Sequence, residues 1–510
     1  MCGLACGVST AVLGAALLLG STIVGYGLVD GIINSIISNE VALADGSLNL
    51  QRFTDIPFAM NFSLRAFNLT NPDEVLNGAT PVVEEVGPYI YKLYQIRELL
   101  DSDEETLTYR FRDRFEFDTE GSFPHTEDDI ITSANVAYNA VLHVVEVEYP
   151  ELLGLLSLAL NGVFGELNTP VASVRIGSLF LDGLSLCTNP GLVGGVACSQ
   201  IRSLAGENRN MNVQPDGSVT FSVFGYKNTL PSANFKVYRG LDDARDVARI
   251  ITYDNSYRLR LWPEGEDGSL DEHEPNICNT LRGTDGGIFP PFLEKDRPVY
   301  VFNADICRSV EIRYESSFTY RGVPVWRYGT NEGFLDNHEG CYCLNLTRGI
   351  TGPDGCLLTG AQELYSCVGG FLVLTDPHFL FADPTYRNGV IGMTPDKEMH
   401  RIWMDLEPNT GVVIRGAARV QFNMFLRPIP QISATNNLPN VLLPLFWLEQ
   451  GMELPEEFVE EVKEKLLTPL RLVDILVPIL VTISCVLLVV GGVVATRAGL
   501  NNRSASKNIK

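Results

Sequence analysis

LACGVSTAVLGAALLLGSTIVGYGLV, from Leu4 to Val29, and ILVPILVTISCVLLVVGGVVAT, from Ile475 to Thr496, contain no charged side chain. Each exceeds the roughly 20 apolar residues that a helix needs to cross about 30 Å of hydrocarbon. They predict two transmembrane helices, residues 4–29 and 475–496, bracketing the rest of a 510-residue chain. The competing reading of the first is a cleaved signal peptide, with Ala42-Leu43-Ala44 as the cleavage site. It fits poorly, because no basic residue precedes the run, the run outlasts a signal core of about 7–15 residues, and the site lies well past its end. An uncleaved anchor is expected. Arg497, Arg503, Lys507 and Lys510 follow the second run, which places residues 497–510 in the cytoplasm by the positive-inside rule. With two spans, residues 1–3 share that side and residues 30–474 form an ectodomain.

The chain has 62 acids against 38 bases, a formal net charge of -24. All the acids lie between Asp30 and Asp474, and four bases lie in the tail, so the ectodomain carries 34 bases and a net charge near -28. Such a chain lacks the cationic face that neutralises phosphates, which argues against a nucleic-acid binder. A hydrophobic content of 45% excludes a disordered one.

Eight of the 11 cysteines fall in the ectodomain: Cys187, Cys198, Cys278, Cys307, Cys341, Cys343, Cys356 and Cys367. An even number there fits an oxidising compartment and four disulfides, whose connectivity the sequence leaves open. Cys341-Tyr342-Cys343 beside His338 is a poor zinc site, since it lacks a C-x-x-C partner; no metal or other cofactor is expected. Three ectodomain sequons, at Asn61, Asn68 and Asn345, agree with a glycosylated surface; a fourth, at Asn502, falls in the tail and is expected to stay unmodified.

Within the ectodomain, Tyr109, Phe111, Phe115 and Phe117 alternate with charged residues and share one face of a strand. Short strands recur at 219–226, 248–253, 299–302, 310–315, 371–374 and 411–426, punctuated by Gly and Pro, and predict a mainly β scaffold. Residues 127–186 differ. Segments 130–147 and 149–164 are rich in Leu, Ala and Val and meet at Tyr149-Pro150, so they predict two helices inserted in that scaffold. This region has eight acids and one base, Arg175, and its surface is expected to be acidic and apolar. Glu456 to Lys465 predicts a charged helical stalk leading to the second span.

No phosphate-binding loop, H-E-x-x-H or G-x-S-x-G motif is present, and the six histidines are scattered, so an enzyme is not expected. The carboxylate-rich stretch Glu264 to Glu274 lacks the glycine and closing Glu of a calcium loop and is expected to be a solvated loop. His143, in an apolar helical stretch, is expected to be a packed histidine rather than a pH switch.

Several motifs occur together: Asn71-Pro72-Asp73-Glu74-Val75, Val86-Gly87-Pro88-Tyr89, Gly283-Thr284-Asp285, Asp305-Ile306-Cys307-Arg308-Ser309, Pro377-His378-Phe379-Leu380 and Asp405-Leu406-Glu407-Pro408. In this order they resemble the class B scavenger receptor family. The resemblance runs from the first span to the tail and is weakest from about 101 to 212. It implies an α+β ectodomain between two transmembrane helices, with an antiparallel β-barrel core, an apical helical bundle and an apolar tunnel toward the bilayer. It also implies disulfides Cys278–Cys341, Cys307–Cys367 and Cys343–Cys356, which leaves the additional Cys187 and Cys198 to each other. Cys2 and Cys6 resemble the family's palmitoylated cysteines.

The function implied is a receptor that binds lipid or lipoprotein and passes lipid through the tunnel to the membrane. The alternative is a lysosomal membrane receptor escorting a soluble protein cargo. No lysine occurs between Lys92 and Lys227, whereas relatives use apical lysines to attract anionic ligands. The ligand is therefore expected not to be strongly anionic, with Glu151, Glu166 and Arg175 as candidate contacts. The tail lacks an acidic dileucine signal, which favours the plasma membrane over the lysosomal membrane. Gly3-x-x-x-Gly7 and Gly27-x-x-x-Gly31 offer small faces on which membrane helices can pack, including between copies in a homo-oligomer.

Overall fold

A computed structural model of the chain describes residues 3–206, 208–263 and 276–507. Cys2 and the Glu264–Glu274 stretch lie outside the described residues. Contacts divide the chain into two units, one holding the terminal helices with the hairpin tip Phe318–Pro324, the other Leu43–Ser317 with Val325–Glu453.

In the first unit, helices Leu4–Val41 and Glu456–Asn502 have mean hydropathies of 2.0 and 2.8 over their most apolar windows and are long and apolar enough to cross a membrane. Both are longer than the uncharged runs. At 1.5 Å per residue the first extends about 57 Å, so it continues as helix through the polar residues after Val29. The two pack along a glycine seam. A Cβ on Gly7 would lie 2.5 Å from Ala495 N, one on Gly14 2.4 Å from Leu488 N, and one on Gly491 2.3 Å from Ala11 N. Gly3, Gly27 and Gly31 face open space, so of the two expected G-x-x-x-G faces only Gly7 takes part. The stalk is braced by Lys463–Glu460 and Lys465–Glu461, both at 2.6 Å, and Arg321 of the hairpin tip lies 3.3 Å from Glu456.

The second unit is built on a mostly antiparallel sheet, thirteen-stranded among the described residues. From one edge its strands are Ile250–Tyr253, Phe235–Tyr238, Thr106–Phe117, Val83–Ser102, Met60–Leu69, Val441–Glu453, Val413–Leu426, Trp403–Leu406, Val323–Gly329, Arg308–Tyr320 and Val299–Asn303, with Val373–Thr375 beside Val413–Leu426 and Ala361–Glu363 outside it. The barrel expected from the family resemblance is not formed, because the sheet does not close. Among the described residues an irregular segment lies between its edges: Ile250 N–H donates to Gly283 O at 2.9 Å, and Thr284 bridges Val301, with Thr284 N–H donating to Tyr300 O at 3.3 Å and Phe302 N–H to Thr284 O at 2.8 Å. Gly283 has φ +77°, and a Cβ there would fall 1.8 Å from Tyr300 O. A side chain at this position is sterically forbidden. No tunnel is shown among the described residues.

The aromatic stripe on Thr106–Phe117 splits between two cores. Tyr109 and Phe111 pack on Phe235, whereas Phe115 meets Phe62 at 5.1 Å and Phe117 meets Tyr91 at 5.3 Å. Between the cores, buried Arg97 donates to Asp285 at 2.8 Å and to Phe53 O at 2.8 Å, and Tyr109 OH donates to Asp285 at 2.6 Å. Burial pushes the Asp285 carboxyl up, but Arg97 and Tyr109 outweigh it and hold it below the ordinary range. Asp285 of the Gly-Thr-Asp motif is thus a structural counter-ion.

Disulfides join Cys187 to Cys198, Cys278 to Cys341, Cys307 to Cys367, and Cys343 to Cys356. Two of these loops span about 60 residues and interlock, which strongly restricts the unfolded chain.

The helical region departs from expectation in two places. Ile130–Ala134, expected as the start of a helix, is a strand paired with Val171–Arg175. Asn135 then caps the helix Val136–Glu148, its Oδ1 accepting Tyr138 N–H at 3.1 Å, so the helix begins where the β-branched Ile-Ile-Thr run ends. A further helix, Gly191–Ala205, was not expected.

Candidate functional site

Helices Val136–Glu148, Leu153–Phe164 and Gly191–Ala205 wall a cavity of about 690 Å³, a volume ordinary for a small-molecule site. The first helix turns Ala140, Val141, Val144 and Val145 to the cavity, while Tyr138, Leu142, His143 and Glu146 are buried on its other side. The polar residues on the buried side have partners, Asn139 donating to Pro170 O and Glu146 accepting from Arg427. The second and third helices cross closely. A Cβ on Gly162 would lie 2.4 Å from Pro190 O and 3.0 Å from Gly194 Cα, and the Cys187–Cys198 disulfide ties the middle of the third helix to the segment that precedes it. Its residues Val196, Ala197, Ile201 and Leu204 form the cavity wall. Phe224 and Phe422 also line the cavity and stack into the sheet aromatics, with Phe224 5.1 Å from Phe180 and 6.2 Å from Phe422.

The charged groups in the lining are Glu148, Arg209 and Asp305, and each has a partner. Arg209 lies over the Tyr226 ring at 4.7 Å, a favourable cation–π arrangement. Asp305 accepts from Lys227 at 2.7 Å. Burial raises the Asp305 carboxyl, but Lys227 and then Arg209 outweigh it and hold it below the usual range. Burial and Asp305 push the Tyr226 hydroxyl up to about 12. Glu148 accepts from Tyr365 OH at 3.0 Å, and burial followed by Glu148 pushes that hydroxyl up to about 12. An apolar ligand with a polar but uncharged head meets hydrogen-bonding groups here without displacing an ion pair.

The expected contacts Glu151, Glu166 and Arg175 are all exposed and lie outside this lining. Arg175 is spent on Asp128 at 2.6 Å and Asp182 at 3.7 Å. The cation in the lining is Arg209. Arg209 follows a glycine-rich helix that its composition disguised as a loop, beyond the 127–186 window. The acidic surface expected there is also reduced, because Glu146 is buried against Arg427 and lies 3.3 Å from Arg348. His143 is a packed histidine, with burial and then Arg427 pushing it down to about 3. Among the sequons, Asn61 and Asn345 are exposed, while half-buried Asn68 accepts Thr132 N–H at 2.8 Å through Oδ1. Cys341 and Cys343 are in separate disulfides and offer no thiolate to a metal.

Two apolar terminal helices around a disulfide-braced sheet unit that carries an apolar cavity define a class, the anchored ectodomain with a site for an apolar ligand. The chain belongs to the CD36 family, which it matches over residues 12–495; this is the class B scavenger receptor family. It is 32% identical to sensory neuron membrane protein 2 of Drosophila melanogaster, over 88% of this chain and 90% of the relative. It is 29% identical to the same-named protein of Anopheles gambiae, over 94% and 91%, and 32% identical to sensory neuron membrane protein 1 of Manduca sexta, over 93% and 88%. The chain is a membrane protein of a family of lipid-binding receptors rather than enzymes.

Proposed function

We propose that this protein is a lipid receptor that takes an apolar ligand, uncharged at its polar end, into the helix-walled cavity and delivers it to the bilayer through an apolar conduit. The observation that carries the reading is the 690 Å³ cavity lined mainly by aliphatic and aromatic side chains, its few charges already paired. A lipid crossing water exposes apolar surface at about 0.8 kcal/mol per CH₂, so a dry path removes most of the barrier without covalent chemistry. The ligand moves down its chemical-potential gradient. We place the protein in the plasma membrane, with residues 4–29 and 475–496 as its spans and Asn61, Asn68 and Asn345 glycosylated.

Mass spectrometry of lipid co-purifying with the full chain tests the reading, against a variant carrying Ala140→Trp and Ala197→Trp. Neutral lipid in the wild type, lost from the variant, is expected. An empty wild type, or equal lipid in both, refutes it. Retention of a free fatty acid in preference to its ester refutes the uncharged-head assignment. A second reading, docking of a soluble protein cargo, draws on Leu158 and Leu192, 75% and 94% exposed. Microscopy placing the tagged protein in lysosomes favours that reading.

A further inference from the structure

His378 and His400 are both buried, and their rings stack at 4.5 Å and 19°. Each offers Nδ1 to a backbone N–H of one short segment: Thr394 N–H donates to His378 at 3.1 Å, and Asp396 N–H donates to His400 at 3.0 Å. A nitrogen that accepts a hydrogen bond carries no proton, so both rings hold theirs on Nε2. His378 Nε2 faces Glu85 at 2.6 Å, and Trp447 Nε1 donates to the same carboxylate at 2.9 Å. The segment is otherwise anchored at its start, where Ile391 pairs with the chain at Pro81 and Val83, at Lys397, which donates to Glu332 at 3.0 Å, and near its end, where Arg419 donates to Glu398 O and Arg401 O.

We propose that the stacked His378–His400 pair is an acid-operated catch: a proton on Nδ1 turns the acceptor into a donor, breaks its bond to the facing N–H, and frees the segment Gly392–Met399 from the sheet. Both N–H groups then face a positive ring, and two charged rings at the stacking distance repel each other. The groups that set the response come from every neighbouring element. Glu85 faces His378 from the strand Val83–Ser102, with Arg65 of Met60–Leu69 3.7 Å from Glu85. Asp376 is buried just before His378. Asp396, Lys397 and Glu398 belong to the segment itself, Arg401 follows it, and Arg419, paired with Glu449 at 2.6 Å, lies on Val413–Leu426. Glu85 faces His378, while Arg419 opposes charge on His400. Burial, then the neighbouring His378, pushes His400 down to about 4 in the closed segment, against about 6.5 once exposed. Opening therefore takes up a proton as pH falls between those values, and the opening equilibrium rises about tenfold per pH unit, up to about 300-fold. An acidic compartment thus loosens one segment of the ectodomain.

The test is hydrogen exchange read by mass spectrometry on the full chain in detergent, from about pH 7 to 4.5, corrected for intrinsic rates. Protection in 392–399 is expected to fall about tenfold per unit while the strand Val441–Glu453 holds. In a double variant His378→Asn and His400→Asn, whose Oδ1 can accept the same N–H groups but cannot titrate, the fall is expected to vanish. Unchanged wild-type protection, or the same fall in the double variant, overturns the proposal. Nitrogen-15 spectra of the wild-type histidines give an independent reading, and Nδ1-protonated rings at neutral pH overturn it whether or not the variant folds.

Discussion

Breaking the pair that ties the first cavity helix to the sheet is expected to cost a large part of the site's stability. Glu146, on Val136–Glu148, is 2% exposed and bound through both oxygens by Arg427, which itself is 8% exposed. Arg427 also donates to Arg348 O at 2.8 Å. The Arg348 side chain, 3.3 Å from Glu146 but half exposed, adds little by comparison. Replacing Glu146 with Leu leaves a buried guanidinium with no carboxylate, a change that costs about 3–5 kcal/mol. For the unit of about 400 residues that contains it, at roughly 2 cal/mol/K per residue, this corresponds to a fall in Tm of about 4–6 °C. The double variant Glu146→Leu with Arg427→Met removes both charges and is expected to recover most of the loss, giving a coupling of about 2–4 kcal/mol in a double-mutant cycle. Thermal unfolding in detergent gives the shift, and exchange protection of the Val136–Glu148 amides locates it. A coupling below about 1 kcal/mol would refute the argument that this pair is what holds the helix against the sheet.

Acid stability follows from three buried groups. His143 and His400, held down to about 3 and 4 by burial, stay neutral when folded and charge on unfolding below about 6.5; together they destabilise by up to about 2.7 kcal/mol per pH unit as pH falls toward 4. Asp376, pushed well above the carboxylate range by burial, opposes them at about 1.4 kcal/mol per unit. Asp376→Asn is therefore expected to raise stability at pH 7 and to steepen the loss on acidification; denaturant titrations at several pH values showing an unchanged slope would contradict this. In the membrane unit, a cross-link between Leu4→Cys and Gly499→Cys, positions in contact, is expected to fail when Gly14→Leu is added but to survive Gly27→Leu. Equal yields would rule out the glycine seam.

The two apolar runs, the ectodomain charge near -28 and the strand alternation at 109–117 were legible because each is a local pattern that membrane or water reads directly. The family could also be recognised from its motifs. The sequence hid the helix Gly191–Ala205, because three glycines lower helix propensity and only tertiary packing at the Gly162–Gly194 crossing repays them. It hid the lining of the cavity for a related reason. Counting charges along residues 127–186 points to Arg175, which contacts nearby carboxylates, whereas Arg209, Asp305 and Tyr365 come from distant segments.

The sequence by itself therefore determined that two terminal helices are apolar enough to cross a membrane, that the segment between them is acidic and which broad scaffold forms, since hydropathy, charge and period-two alternation act over neighbouring residues. Only the tertiary structure decided that the sheet stays open, that Glu146 is buried, that the cavity is apolar with its charges paired, and that two histidines 22 residues apart share one segment. Those outcomes depend on long-range contacts, whose energies are set by burial and by the partner each polar group finds.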